Sequence, residues 1–320
     1  MRGFLVFDKP AGITSHDVVL MLRAVTGIKK IGHTGTLDPF ATGALPVAIG
    51  PATRLIQYLD EDHKVYDALL SLGVATETGD PEGDPIEQAD VPPLTSAEIE
   101  AACAMFIGEQ MQIPPKYSAI KHKGRPLYAY AREGIDVEIP PRPIRIDRIT
   151  LLQWAPPRLR LRIVCGKGTY IRALAVDLGR ALGTVAHLEQ LRREESGPFT
   201  LQTERTLTAP GLAALVAKTD DWRRALRPKR GEERVPWIPR PQVRKALSDK
   251  MWTPMQAVSH LDAVQISEAQ VLRVRAGQSP PPPPSGTADG ALYALAEGDE
   301  LIALARRDGA RGRLERVMAY

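Results

Sequence analysis

The sequence predicts an α/β (α+β) fold in two domains, and three observations carry that expectation. Segments with a strand period, such as residues 63–72 and Arg158–Cys165, are interleaved with helix-period segments after Thr14 and after Gly166. The chain has 320 residues, more than the ~100–200 of a typical single domain. Past residue 223 an Arg/Lys/Pro-rich stretch leads into a tail of short apolar runs and turns, which places an interdomain linker at residues 226–242 and a small β-rich domain at 243–320.

Residues 3–7 form a short apolar run ending at Asp8-Lys-Pro-Ala-Gly12, a buried strand followed by a turn. Thr14 or Ser15 then caps a helix through Val18, Val19, Leu22 and Val25, which Gly27 closes. Residues 29–43 (Lys-Lys-Ile-Gly-His-Thr-Gly-Thr-Leu-Asp-Pro-Phe-Ala-Thr-Gly) follow, with neither a helix nor a strand period. Three glycines widen the backbone's choices there, and Pro39 pushes Asp38 towards an extended or turn geometry. Such a loop is most often just a turn. A rigid loop presenting one carboxylate, Asp38, is also how a catalytic acid is displayed. Thr34-Gly-Thr36 is not the loop of an aspartyl-phosphate enzyme, because the acid follows the threonines here instead of preceding them.

Residues 44–49 return to apolar character, and Pro51 opens a short helix. Residues 63–72 alternate, so Tyr66, Ala68, Leu70 and Leu72 share the face of a strand that meets a core or a site. Residues 73–83 read as a polar loop with Asp80 between a glycine and a proline. Thr95-x-x-Glu98 is a capping box for a helix carrying Ile99, Cys103 and Phe106. Residues 114–132 interleave Lys116, Lys121, Lys123, Arg125 and Arg132 with Tyr117, Tyr128 and Tyr130. That mixture suits an RNA backbone and stacked bases, or equally a solvated basic loop.

Arg158–Cys165 alternates cation and hydrophobe, a half-buried strand with a basic outer face. Gly166-Lys-Gly-Thr169 turns it into a helix with Ile171, Leu174, Ala175, Leu178 and Leu182 as its apolar stripe. It lacks the upstream glycine of a P-loop. Arg172 in the first turn opposes the helix dipole, so a carboxylate such as Asp38 is expected to compensate it. The run Pro280 to Pro284 is a loop or polyproline stretch.

The totals limit the function classes. With 42 Lys+Arg against 38 Asp+Glu the net charge is only +4, so nucleic-acid binding must rest on where charge lies. Cys103 and Cys165 are distant and flanked by apolar residues, which reads as reduced core thiols in a reducing compartment. The six histidines show no metal spacing, and neither a membrane span nor a signal peptide is visible. A cytoplasmic monomer with no cofactor, no metal and no membrane partner is expected.

Five stretches, taken together, resemble the TruB family of tRNA pseudouridine synthases. They are Phe7-Asp-Lys-Pro-Ala-Gly-Ile-Thr-Ser15, residues 32–43, Tyr66 with Gly73-x-x-Thr-x-Thr-x-Asp80-x-x-Gly83, Pro114-Pro-Lys-Tyr-Ser-Ala with Tyr128-x-x-Ala-Arg132, and Cys165-Gly-Lys-Gly-Thr-Tyr-Ile-Arg172 with Asp177-Leu-Gly179. The resemblance runs from about residue 3 to residue 200. It implies a pseudouridine synthase catalytic domain over residues 1–225, built on a mixed, mainly antiparallel sheet, and a PUA-like C-terminal domain. It implies isomerisation of uridine to pseudouridine in the T-loop of tRNA, on a flipped-out base.

By the same resemblance Asp38 is the catalytic aspartate, Tyr66 stacks on the target base, and Arg172 pairs with the aspartate. Lys9, His33, Asp80, Lys116, Tyr117, Arg132, Tyr170 and Leu191 are expected to contact substrate or RNA, and residues 116–142 to form a mobile loop that closes over tRNA. Phe40, Gly166 and Ala173 depart from the family's usual leucine, serine and threonine without adding charge. Rival readings are a tRNA-binding or folding factor without turnover, and an enzyme acting on uridine in other RNA.

Overall fold

The computed structural model describes residues 1–59, 63–201, 204–219, 221–227 and 235–318. In chain order β1 (Gly3–Lys9), α1 (Ser15–Thr26), β2 (Ile31–His33) and β3 (Thr42–Ile49) are followed by a 3-10 helix over Gly50–Tyr58. Next come β4 (Lys64–Leu72), β5 (Val74–Thr76), β6 (Pro85–Gln88), α2 (Ser96–Ala104) and β7 (Gly108–Gln112). An insertion carries β8 (Lys121–His122), β9 (Arg125–Pro126) and α3 (Leu127–Arg132), and leads to β10 (Arg142–Ala155), β11 (Arg158–Cys165), α4 (Ile171–Ala181) and β12 (Ala186–Ser196). The remainder holds β13 (Phe199–Thr200), β14 (Leu207–Thr208), α5 (Ala209–Ala217), α6 (Trp222–Leu226), α7 (Arg240–Ser248), α8 (Pro254–Ala257), β15 (Ala263–Gln265), α9 (Glu268–Arg275), β16 (Leu292–Glu297), β17 (Glu300–Asp308) and β18 (Arg311–Val317).

Local chemistry sets several of these boundaries. Thr14 caps α1 in a reciprocal box with Asp17, and Gly27 ends it at φ 70°, a left-handed position that favours glycine. Thr95 and Glu98 form the same box at α2. Burial along β4 alternates as its period requires, with Tyr66, Ala68, Leu70 and Leu72 inward. Two segments expected as loops contain paired strands. Ile31–His33 pairs antiparallel with residues 47–49 of β3, and Val74–Thr76 pairs with β6. Both strands are only three residues long, too short to show a period.

Contacts divide the chain into two units. One comprises Met1–Asp38, Ala44–Asp60 and Gly197–Tyr320, the other Pro39–Gly43 and Glu61–Ser196. The second unit is built on adjacent antiparallel strands in the order β12, β4, β11, β10, β7, and Thr42 and Gly43 pair in parallel with Arg192 and Arg193. The first unit places β1 between β14, in parallel, and β3. It also contains a four-stranded sheet in the order β15, β16, β17, β18, of which only the β15–β16 pair is parallel. The architecture is α+β with mixed, mainly antiparallel sheets.

The core of the first unit joins the ends of the chain. Phe4 and Val6 of β1 share a buried cluster with Phe199, Ala294, Leu301, Leu304 and Met318. Phe4 also exchanges two backbone hydrogen bonds with Trp252. Part of the expected linker, residues 228–234, lies outside the described residues; α6 and α7 flank it.

The expected basic face of β11 is a correction. Arg158 pairs with Glu189 at 2.9 Å, Arg160 with Asp67 at 2.7 Å and Arg162 with Glu194 at 2.9 Å. The alternation along β11 is as expected, but acids on β4 and β12 neutralise its cations. Such exposed pairs contribute about 0–1 kcal/mol each.

Candidate active site

Asp38 lies in the first unit on an irregular segment, half-buried. The residue before it is pinned by the α1 start. The Ser15 hydroxyl accepts a hydrogen bond from the Leu37 N–H at 2.8 Å and donates to the Leu37 carbonyl at 3.1 Å, with Ser15 2% exposed. One hydroxyl thus satisfies both main-chain groups of the residue adjoining the carboxylate, and fixes the loop's course at that point. His33 is half-buried at the end of β2, opposite Val47.

Lys9 corrects an expectation. It is fully buried, and its ammonium donates to the carbonyls of Pro10 at 3.0 Å and Ile13 at 2.8 Å. A side chain so enclosed cannot reach RNA; it ties down the turn that feeds α1.

In the second unit Tyr66 is 7% exposed on β4. Leu191 of β12, 8% exposed, stands opposite Ala68. The strand period therefore places Tyr66 and Leu191 on one face as diagonal neighbours.

Arg172 lies in the first turn of α4, where a cation opposes the dipole, and it is 4% exposed. Its compensation includes Asp80, which is 3% exposed and whose Oδ2 lies 3.2 Å from Arg172 Nη1. Nη1 also donates to the Thr78 carbonyl at 3.0 Å, and Nη2 to the Tyr117 carbonyl at 2.8 Å. Asp80 is itself fixed, since its Oδ1 accepts from the Thr78 hydroxyl and from the Glu82 N–H at 3.0 Å. Asp80 was expected among the RNA contacts. Its burial makes it an internal partner of Arg172 instead, in the geometry a buried charge pair needs.

The other expected RNA contacts lie on or beside the insertion. Lys116 is exposed and pairs with Asp136 at 2.6 Å, a hydrogen bond that raises the ammonium's pKa and lowers that of the carboxylate. The Tyr117 hydroxyl donates to Glu77 Oε1 at 3.0 Å, and that bond holds the phenol above its ordinary pKa. The Arg132 guanidinium lies 5.4 Å from the centre of the Tyr128 ring, a cation–π contact on an exposed helix. Tyr170 is half-buried, and its main chain is gripped by Gln112: the Tyr170 N–H donates to Oε1 at 2.8 Å and Nε2 donates to the Tyr170 carbonyl at 3.1 Å. An open groove of about 670 Å³ borders this region, lined by Thr78, Met111, Ile113, Lys116, Arg172 and Arg180 among others.

Sequence reasoning named Asp80, Tyr117, Tyr170 and Arg172, which the fold gathers into one neighbourhood of the second unit. It missed Gln112, Glu77 and the anchoring role of Ser15. The only signal for Gln112 was a lone amide between two exposed apolar residues, directly ahead of Ile113 and the Pro114-Pro115 turn.

Comparisons with known proteins identify the family. Residues 23–171 match the TruB family pseudouridylate synthase N-terminal domain, and residues 172–229 match the tRNA pseudouridylate synthase B C-terminal domain. The chain is 46% identical over 233 residues to tRNA pseudouridine synthase B of Geotalea uraniireducens, covering 73% of this chain and 71% of that protein. It is 49% identical over 205 residues to the same-named protein of Thiobacillus denitrificans, covering 64% and 68%. Among solved structures, a chain of the crystal structure of a Cbf5-Nop10-Gar1 complex aligns with a TM-score of 0.71 at 28% identity, over 99% of this chain and 85% of that one. The two matched domains and the identity to these relatives make this chain a member of the TruB family of pseudouridine synthases.

Proposed function

We propose that the chain isomerises uridine to pseudouridine in the T-loop of tRNA, at position 55, and that Asp38 is the nucleophile. The reaction breaks the N1–C1′ bond, turns the uracil and joins C5 to C1′. It has no net oxidation and takes no group from outside, so a carboxylate that adds and later leaves suffices. A base held in an RNA loop must be everted first, at a cost of a few kcal/mol. Stacking on Tyr66 offsets ~1–3 kcal/mol of that. Leu191 supplies an apolar neighbour on the same face, and the Arg172 guanidinium supplies directed positive charge.

The observation that carries the reading is Arg172. A buried guanidinium locked by a carboxylate and two carbonyls, in a chain of this family, is a preorganised electrostatic element and not a surface cation. His33, Lys116, Tyr117, Arg132 and Tyr170 are assigned to the RNA, with residues 116–142 as the loop that covers the T-arm. Residues 1–225 are assigned to catalysis, 226–242 to a linker and 243–320 to a PUA-like domain, in a monomer working in the cytoplasm. Among the described residues no helix is long and apolar enough to cross a membrane.

The test is an unmodified tRNA transcript incubated with wild type and with Asp38→Asn, followed by mapping of pseudouridine by position. Product at position 55 with wild type, and none with a variant that still binds tRNA, is expected. Equal product from both would overturn the assignment of Asp38, and tRNA binding with no product from wild type would favour a binding factor.

A further inference from the structure

We propose that Gln112 is a positioning residue for the isomerisation, coupling the root of the RNA-covering loop to Arg172. The proposal rests on the reading of Arg172 as part of the catalytic set. Gln112 is the last residue of β7 and pairs with Arg142, the first residue of β10. It therefore stands at the base of the insertion between those strands, where any movement of residues 116–142 pivots.

Its side chain, on a residue 6% exposed, grips the Tyr170 main chain on both sides, accepting from its N–H and donating to its carbonyl. Tyr170 is the N-cap of α4, and its own side chain makes no capping hydrogen bond. A tyrosine cannot supply the short oxygen acceptor of a normal N-cap. The Tyr170 carbonyl already accepts from the Leu174 N–H at 3.1 Å, so the Gln112 amide fixes the peptide from which the first helical turn hangs. Arg172 is two residues further on.

The same short stretch also acts on the side chain of Arg172. Five residues after Gln112, the Tyr117 carbonyl accepts from Arg172 Nη2. Residues 112–117 thus hold Arg172 by two routes, through the Tyr170 main chain two residues before it, gripped by Gln112, and through its own guanidinium, gripped by the Tyr117 carbonyl. When the loop engages RNA, tension at its base reaches the guanidinium along both routes. Because Gln112 bonds a peptide of the protein and its loss misplaces Arg172, the effect is expected on the rate of the bound complex more than on binding.

The experiment compares wild type with Gln112→Met, which keeps length and packing without either hydrogen bond, and Gln112→Glu, which keeps the acceptor but turns a second acceptor towards the Tyr170 carbonyl. Single-turnover rate constants with saturating enzyme on an unmodified tRNA transcript are read beside tRNA Kd, thermal unfolding and the fraction of active enzyme. Both variants are expected to convert uridine about tenfold or more slowly per active site, with Glu the slower, because small misplacements of a reacting constellation cost rate steeply. Binding is expected within about threefold of wild type, since the phosphate contacts that dominate affinity are untouched. An unchanged rate constant in Gln112→Met overturns the proposal. So does a loss confined to the active fraction or falling in step with Kd, which would mark a merely structural residue. An inactive wild type would instead sink the functional reading on which the proposal rests.

Discussion

Replacing Asp80 by asparagine tests the site's central pair. In Asp80→Asn the Arg172 guanidinium, its side chain 5% exposed, keeps the Thr78 and Tyr117 carbonyls but loses the carboxylate at 3.2 Å. Removing one partner of a buried ion pair costs about 3–5 kcal/mol, because the remaining charge loses a compensating neighbour in a dry setting. Asparagine is isosteric, and its oxygen can still accept from the Thr78 hydroxyl and the Glu82 N–H, so the lower end, about 3 kcal/mol, is expected. Thermal unfolding followed by circular dichroism would show the loss, and single-turnover rates should fall with it. The control is Asp80→Asn combined with Arg172→Gln, in which both charges of this pair are removed together. It should be more stable than Asp80→Asn alone, with a coupling energy of about 1–3 kcal/mol. A single variant within about 0.5 kcal/mol of wild type, or an additive cycle, would refute the view that this pair is enclosed and mutually dependent.

Three further outcomes follow from buried groups. At Gly43, with φ 107°, an added Cβ would lie 2.1 Å from the Arg193 carbonyl oxygen, whereas at Gly124, with φ 83°, nothing lies within 4 Å. Gly43→Ala should therefore fail to give soluble folded protein, while Gly124→Ala bears only the left-handed strain of about 1–2 kcal/mol; soluble yield and circular dichroism decide. Burial pushes the Cys103 and Cys165 thiols up to about 11, so a thiol reagent at pH 8 should leave both untouched in native protein and modify both in denaturant. Because the unfolded thiols release protons first, their contribution to stability should be lost as pH rises from the ordinary 9.0 through about 11. Burial raises the Asp177 carboxyl against the opposing pull of Arg180, so its contribution is present at low pH and turns unfavourable as the group ionises. Asp177→Asn should raise Tm at pH 7 by on the order of 2 °C, and the gain should vanish in acid.

Legibility followed range. The helix start at Thr95 was readable because a capping box spans four consecutive residues, whereas the first helix start was narrowed only to Thr14 or Ser15 and proves to be Thr14. Tyr66 was placed on an inward face by a period of two, and the α4 stripe by its turn. The anomaly of a cation at the start of α4 correctly announced a partner, yet nothing local could say that Asp80, 92 residues earlier, would be one of its carboxylates. Arg158, Arg160 and Arg162 misled for the same reason: a strand's own sequence shows which side chains share a face but not which charges the neighbouring strands bring alongside. Lys9 was named through the family resemblance alone, and that the turn's carbonyls close around its ammonium depends on how the chain folds back. Gln112 lay beyond reach, its role depending wholly on a peptide 58 residues away.

The cluster that joins Phe4 and Val6 to Leu301, Leu304 and Met318 bears on how the chain is made. On the ribosome this strand emerges with its apolar side chains bare and waits for partners encoded roughly 300 codons later. At ~5–20 residues per second that delay is on the order of 15–60 s. The nascent N-terminus is thus a long-lived target for chaperones, and losing the final two strands should leave it sticky however intact the catalytic residues are.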